Sequence, residues 1–463
     1  VTAIALLSGI AATETADFAI SYPVNLEPVT LKTGLSSGYL RSAAGARQTG
    51  SGPGNDRGAI VWNGVIYRVM GSKLVSISGT VATSLGDVGD GDPVGLQYGI
   101  NQLAIQSGTS LYFWDGKALV QVTDTDLGAC NDIVWFKGQY FSTDGTYVVA
   151  LQLADPTQVD PGKYQASDTD PDPITGLGVL RNELVAFNAA TIDFFNYVGG
   201  TGFPLALNEG ASIPVGCVGP RAKCLYVQTY AFVGAGRNQA NAVWLMGAGT
   251  ASKISTRAID DMLAAELNPQ NIRLESRVSR DEHRLYVHLS DRTLVYLKTA
   301  SDAAQQPVWY VARSGRGADQ PYRLRNAVLL NGAWNVGDVS SGAFGVLGEA
   351  IAGHFGELEG WSFATEFTYN AANGGILHEL ELVGLPGRGV DGDPAAFVAF
   401  TTDGETWTRE KAARIGKKGQ RDKRLAWRPH YRFSRYMGMR FRGDSTGLVG
   451  FAVLEGAFEG LAR

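Results

Sequence analysis

Short apolar runs separated by turn-forming pairs recur along the chain from about residue 57 to residue 348. Ala59-Ile-Val-Trp62, Asn63-Gly64 and Val65-Ile-Tyr-Arg-Val69 form the clearest example. Asn-Gly tolerates the positive φ angles of a type I′ turn, whose twist matches that of two antiparallel strands. Ile133-Val-Trp-Phe136 with Lys137-Gly138, and Ala327-Val-Leu-Leu330 with Asn331-Gly332, repeat the pattern. The hairpins group into units near 57–86, 94–123, 128–155, 172–208, 214–257, 274–313 and 321–348, each with three or four short strands. No such unit can bury both faces of its sheet alone, and radial stacking of small sheets solves that problem while leaving only short edges. The spacing therefore predicts an all-β chain whose main body is a β-propeller of about six blades, the last unit helping to close the ring; five or seven blades also fit. No WD or Kelch signature accompanies the repeats.

The pattern changes at three places. Ser255-Thr256 can cap a helix over Arg257–Glu266, with Ile259, Met262 and Leu263 on one face, which predicts a helical insertion near 256–266. Residues 349–360 lack a period and read as a linker. Beyond them, Leu377, Glu379 and Glu381 alternate with His378, Leu380 and Leu382, and Met437, Met439 and Phe441 alternate with Arg440 and Arg442. That period of two predicts a C-terminal β-sandwich-like domain over 349–463. Residues 1–56 are expected to form an N-terminal arm whose first strands pack on or close the propeller, which itself spans 57–348.

Composition agrees with many short strands: 59 of 463 residues are Gly, 44% are hydrophobic and 10% aromatic. The apolar stretch over residues 1–12 looks like part of a signal peptide but lacks a basic leader, and no apolar run reaches the roughly 18 residues of a membrane span. Cys130, Cys217 and Cys224 have no metal-ligand spacing; buried free thiols are expected, a Cys217–Cys224 pair being the alternative.

The net charge is only −5, but it is unevenly distributed. Thirteen of the 40 Lys and Arg, and two of the 45 Asp and Glu, fall between Arg409 and Arg442, leaving 27 basic against 43 acidic residues elsewhere. Lys417, Lys418, Arg421, Lys423, Arg424 and Arg428 are therefore the candidate docking or DNA-contact residues. Solvated or intersubunit charge is favoured over DNA contact, because Trp427, Tyr431, Phe433 and Tyr436 are as suited to a sandwich core as to base stacking.

Asp87, Asp90 and Asp92, and Asp168, Asp170 and Asp172, lie in Gly- and Pro-rich runs. Turn chemistry is the expected role and calcium the alternative, since neither run has the distal Glu of an EF-hand loop. Thr401-Thr-Asp-Gly-Glu-Thr-Trp407 resembles an Asp-box hairpin, a structural motif, one residue short. There is no GxSxG, HExxH or P-loop. His283 and His288 fall on opposite faces of one predicted strand. No catalytic residue, metal or cofactor is expected.

Several strings occur in a telling order: Tyr22-Pro-Val-Asn25, Ser36-Ser-Gly-Tyr-Leu-Arg-Ser42, Arg57-Gly58, Tyr67-Arg-Val69, Gly71-Ser-Lys-Leu74, Ser142-Thr-Asp-Gly145, Ile192-Asp-Phe-Phe-Asn-Tyr197 with Gly199-Gly-Thr-Gly202, Thr402-Asp-Gly404 with Arg409-Glu410, and Lys423-Arg-Leu-Ala-Trp427. Together they resemble the phage stabilisation family, or packaged-DNA stabilisation proteins, the tail hubs of Salmonella-type short-tailed phages. The resemblance implies a virion protein of the tail, made in the host bacterial cytoplasm, that forms a six-fold ring below the portal and adaptor ring. It would help seal the channel, retain packaged DNA and allow its ejection, contacting passing DNA without sequence preference, and it would connect to tail needle and tailspikes. A glycan-binding or glycan-cleaving propeller of the tail is the alternative, and a host-surface binding module a third.

Overall fold

The computed structural model describes residues 2–4, 6, 21–30, 36, 38–167, 172–200, 202–370, 373–388, 392–445 and 447–461. The apolar N-terminal stretch after Leu6 and the carboxylates of Asp168 and Asp170 lie outside these residues.

Five four-stranded antiparallel sheets and one eight-stranded sheet make up the propeller among the described residues, the larger sheet being two four-stranded antiparallel blades joined by a single parallel pairing of Ser51 with Val81. Blade one runs over 56–87, blade two over 94–121, blade three over 132–166, blade four over 174–207, blade five over 223–253 and blade six over 273–312. Blade seven takes Leu324–Leu330, Ala333–Asp338 and Ala343–Gly348 from one end of the repeat region and Gly45–Ser51 from the other. The expectation of about six blades counted this last unit as a closing piece; with the early strand added it is a full blade. Blade three also extends past the expected 155, because Val159–Ala166 pairs as its fourth strand across a register shift.

The turns behave as their chemistry requires. Asn63 and Gly64 sit at φ 49° and 74°, Lys137 and Gly138 at 50° and 91°, and Asn331 and Gly332 at 50° and 75°. Apolar cores lie between neighbouring blades rather than at the axis. Trp62, Val69, Leu103 and Trp114 join blades one and two. Ile66, Met70 and Val75 meet Phe344 where blade one meets blade seven. The helix Arg257–Ala264 follows blade five and buries Ile259 and Leu263. Thr256 is its N-cap residue but makes no side-chain cap bond; Ser255 instead hydrogen-bonds to Asp260 Oδ1 at 2.6 Å. A second helix, Lys298–Ala304, which the sequence pattern does not signal, connects the last two strands of blade six.

The sandwich is built from both ends of the described chain. One sheet runs in the order Leu26–Val29, Tyr39–Ser42, Gly450–Gly460, Gly375–Gly384, Ala426–Trp427, with Thr2–Ile4 also pairing with Gly450–Gly460 and Tyr431–Phe433 with Gly375–Gly384. The other runs Glu359–Ala364, Tyr436–Ser445, Ala395–Thr401, Lys411–Arg414, with Thr368–Tyr369 beside Tyr436–Ser445. Residues 1–56 thus divide their strands: Gly45–Ser51 closes the propeller, whereas the three earlier strands join the sandwich, where partners with open edges await them. Met437, Met439 and Phe441 face the core as expected. The simple alternation expected over 377–382 fails at one point. A register shift between Leu377 and Glu379 moves Leu377 to the same buried side as Leu380 and Leu382.

Tyr22-Pro-Val-Asn25 links the two domains. Val24 exchanges backbone hydrogen bonds with Ser362 of the sandwich (2.8 and 3.1 Å), while Val311 N, on the outer strand of blade six, donates to Pro23 O at 2.8 Å. Asn25, at φ 54°, donates Nδ2–H to Gly360 O at 2.7 Å and accepts Arg313 N–H at 2.9 Å.

Candidate functional site

Two features stand apart from ordinary packing: a charged plug along the propeller axis and the basic loop of the sandwich. The plug arises because several strands contribute charged residues that meet one another, up to three from one strand, as with Arg273, Glu275 and Arg277. Arg68 interrupts Val-Ile-Tyr-Arg-Val, and Asp132 precedes Ile-Val-Trp-Phe.

Asp56 and Arg68 of blade one pair at 3.0 Å, both fully buried, and Asn326 Nδ2 of blade seven donates to the same Asp56 oxygen at 2.7 Å. Burial outweighs the Arg68 charge and raises the Asp56 carboxyl above its usual range. Asp132 of blade three receives Arg221 at 2.7 Å, from the turn before blade five, and Lys223 of blade five at 2.7 Å, and it also accepts the backbone N–H of Leu177 at 2.9 Å. Here burial is overcome by the two cations, and the carboxyl lies below its usual range. Arg221 further donates to Gln106 of blade two at 2.8 Å. Gly95 is what makes that reach possible, because a Cβ there would stand 2.0 Å from Arg221 Nη2.

Glu275 of blade six accepts the backbone N–H groups of Asn326 at 2.6 Å and Ala327 at 3.2 Å, with Arg277 at 3.5 Å and His288 at 3.5 Å. His288 stacks with Tyr286 and Tyr322. Burial first, and the Arg325 charge next, hold its imidazole neutral with a pKa of about 4. Arg57 is saturated, donating to Asp92 (3.1 Å), to the carbonyls of Gly71, Gly89 and Gly91, and to Ser107. Arg273 Nη1 donates to Arg57 O at 2.9 Å. Across this network seven cations (Arg57, Arg68, Arg221, Lys223, Arg273, Arg277 and Arg325) meet four carboxylates (Asp56, Asp92, Asp132 and Glu275). The plug welds blades that are distant in sequence and occupies the axis.

Lys417, Lys418, Arg421, Lys423, Arg424 and Arg428 are all exposed, the first five on the loop after Lys411–Arg414 and Arg428 just beyond Ala426–Trp427. Arg424 is committed to Glu381, its Nε lying 3.0 Å from both carboxylate oxygens. The interleaved aromatics are engaged in packing, two of them buried and Tyr431 and Tyr436 half-buried. Trp427 and Phe433 are buried, Tyr431 stacks on Phe400 at 4.8 Å, and Tyr436 packs edge-on against Phe367.

Two described carboxylates of the acidic runs bind turn amides. Asp87 binds Lys73 Nζ and the Gly89 amide, and Asp172 Oδ2 accepts the amides of Ala190 and Thr191. Among the described residues no cluster of three His, Cys, Asp or Glu could hold a metal ion. Asp403, in the sandwich, accepts the N–H groups of Glu405 (2.9 Å) and Thr406 (2.8 Å), as an Asp-box turn would. Hydrogen bonds from Thr406 and Thr401 hold its carboxyl far below the usual range. The three cysteines are free. No helix among the described residues is long and apolar enough to cross a membrane.

A seven-bladed propeller with a plugged axis, clamped to a β-sandwich that both chain ends build, defines a rigid two-domain scaffold. The chain belongs to the Bacteriophage P22 Gp10 family: the model described as "Bacteriophage P22 Gp10, beta-propeller" matches residues 2–352, and "Bacteriophage P22 Gp10, beta-sandwich" matches 360–459. It is 28% identical over 452 residues to "Tail hub protein gp10" of Salmonella phage P22, covering 92% of this chain and 93% of that one. Among solved structures it is similar to the Pan2 WD40 domain of Neurospora crassa (TM-score 0.42, 9% identity, 66% of this chain and 95% of that one). It is also similar to the N-terminal domain of Nup159 (TM-score 0.41, 10% identity, 70% and 98%). Both likenesses are too loose to bear on function.

Proposed function

We propose that this chain is a structural tail hub of a short-tailed phage, working in the virion as a ring of six copies below the portal and adaptor ring. It seals the channel after packaging, retains DNA and connects to tail needle and tailspikes. One observation carries this reading: the relation to the P22 tail hub protein runs through propeller and sandwich alike, over nearly the whole of both chains. Its work is mechanical rather than catalytic. A ring of identical subunits needs two complementary surfaces on each chain. The basic sandwich segment and the acidic remainder are suited to that pairing, and Lys417, Lys418, Arg421, Lys423 and Arg428 are the exposed cations that would dock on a neighbour or tail partner.

The axial plug bears on where DNA travels. The major groove of a duplex is already about 12 Å wide, and the axis of each propeller is crossed by Arg221 and Lys223 on their way to Asp132. The path for DNA therefore lies between subunits, not through a propeller. Electron microscopy of the purified protein mixed with portal–adaptor complexes tests the reading. A six-fold ring at the tail end is expected; absence of association across a range of salt concentrations would overturn it.

A further inference from the structure

Where the first strands of blades one, two, six and seven begin, the propeller axis opens into a cavity of about 330 Å³, walled by Arg57, Arg221, Arg273 and Arg325 with Asp56 and Asp92 beside them. The volume is within the range of small-molecule sites, roughly 300–1,000 Å³. Two of the arginines have donors to spare. Arg273 gives Nη1 to the Arg57 carbonyl, while its Nε lies 3.7 Å from Glu275, beyond hydrogen-bond reach, and its side chain is 25% exposed. Arg325 gives Nε to Tyr322 O and Nη2 to Leu289 O, which leaves Nη1. Arg221 adds charge rather than a free donor, because its Nη2 is already given to Gln106 and Asp132 and its Nε is buried away from solvent.

The charges agree with the donors. The axial network holds three more cations than carboxylates, and a partly desolvated surplus of one sign is costly unless a counter-charge enters. Burial presses on Arg325, bringing its pKa down to about 10, and burial together with the neighbouring Arg221 lowers that of Arg273. Both shifts ease when an anion is bound. Planar guanidinium groups approaching from different blades suit an oxyanion with several equivalent oxygens. Lys would supply only point charges there.

The geometry points to a binding site for a small phosphate-type oxyanion at this mouth, held by Arg273 and Arg325 with Arg221 adding positive charge in the wall. The phosphate group can come from a free ion or from the backbone of a single nucleic-acid strand; a duplex does not fit the opening.

Calorimetric titration of the full-length protein with pyrophosphate, at ionic strength held constant with chloride, is the test. Saturable binding of one pyrophosphate per chain is expected. Arg273→Gln and Arg325→Gln should each weaken it by about tenfold, in keeping with the loss of a hydrogen bond to a charged group. Asp92→Asn should act in the opposite direction. Its carboxylate is 74% exposed at the rim, where it pairs with Arg57, so the variant keeps the fold while removing a repelling charge. That opposite effect keeps the test decisive if an arginine variant does not fold. A short oligothymidylate that displaces pyrophosphate assigns the site to backbone phosphate; failure to displace assigns it to a free ion. No saturable binding up to about 10 mM pyrophosphate, or the same affinity in all three variants, would overturn the site.

Discussion

Glu27 of the sandwich and Arg284 of blade six form an ion pair at 2.8 Å, each with only 6% of its side chain exposed. Arg41 shares the same carboxylate at 2.9 Å. Breaking a buried pair by removing one member strands the other charge, at a cost of about 3–5 kcal/mol. Glu27→Ala should therefore lower stability by that order and separate the unfolding of sandwich and propeller into two transitions. The double variant Glu27→Gln, Arg284→Met should recover part of the loss. Denaturant unfolding followed by tryptophan fluorescence distinguishes these outcomes; a single variant as stable as the parent would remove the pair from the account of domain docking.

Closure of the ring gives a second expectation. Gly345 pairs with Gln48 of the closing strand, and a Cβ at Gly345 would stand 2.0 Å from Arg47 O. Gly345→Val should push the closing strand off blade seven, costing about 3 kcal/mol or more. Amide hydrogen exchange across residues 45–51 should rise sharply, while exchange in blades three and four stays unchanged.

Acid should weaken the fold through two buried imidazoles. His288 is held down to about 4 and His354 to about 3, in each case first by burial and next by a nearby arginine, Arg325 and Arg323 respectively. Both stay neutral in the folded chain, whereas the unfolded chain takes up protons below about pH 6.5. Their contribution to stability is complete above that pH and is lost as pH falls toward 4 and then 3. His288→Gln should flatten the upper part of this decline in a series of thermal melts.

Glu359 behaves in the opposite sense. Burial raises its carboxyl to about 8, beside His354 at 3.1 Å. The folded chain keeps it protonated, while the unfolded chain releases that proton above its ordinary range near 4.3. Its contribution is complete below that range and is lost as pH rises through 8. The parent should lose more stability between pH 6 and pH 9 than Glu359→Gln does; equal losses would show that the carboxyl ionises freely in the fold.

Charge reversal of Lys417, Lys418 and Lys423 to Glu should leave monomer stability within about 0.5 kcal/mol, because these side chains are exposed. Ring assembly should fail. Retention of both ring assembly and packaged DNA would reduce the segment to solvated charge.

Much of the propeller was legible in local chemistry. Asn63-Gly64, Lys137-Gly138 and Asn331-Gly332 announce hairpins because the residues at the turn decide the backbone there. The family strings were legible too, and Tyr22-Pro-Val-Asn25 proves to be the clamp between domains. What could not be read depends on distant partners. Gly45-Ala-Arg-Gln-Thr-Gly-Ser51 has little apolar alternation, and its place in blade seven is set by strands almost 300 residues away. The axial cluster was equally hidden. Its charges are scattered along the chain, Arg57 beside Asp56 on one strand and Arg273 and Arg277 beside Glu275 on another, and only closure of the ring brings Arg57, Arg221, Arg273 and Arg325 to one cavity. Sequence charge counting found the exposed basic loop instead, because those cations are contiguous.

The divided ancestry of blade seven and the sandwich sets a timetable for synthesis. Gly45–Ser51 leaves the ribosome some 300 residues before Ala343–Gly348, and Leu26–Val29 and Tyr39–Ser42 precede Gly450–Gly460 by more than 400. At roughly 5–20 residues per second, these early strands wait for tens of seconds with unpaired edges. Blades one to six can mature one after another in that interval, each on the last. The ring can close once Ala343–Gly348 has emerged, whereas the sandwich must wait for Gly450–Gly460, so a chain truncated between the two is left with open strands in the sandwich alone.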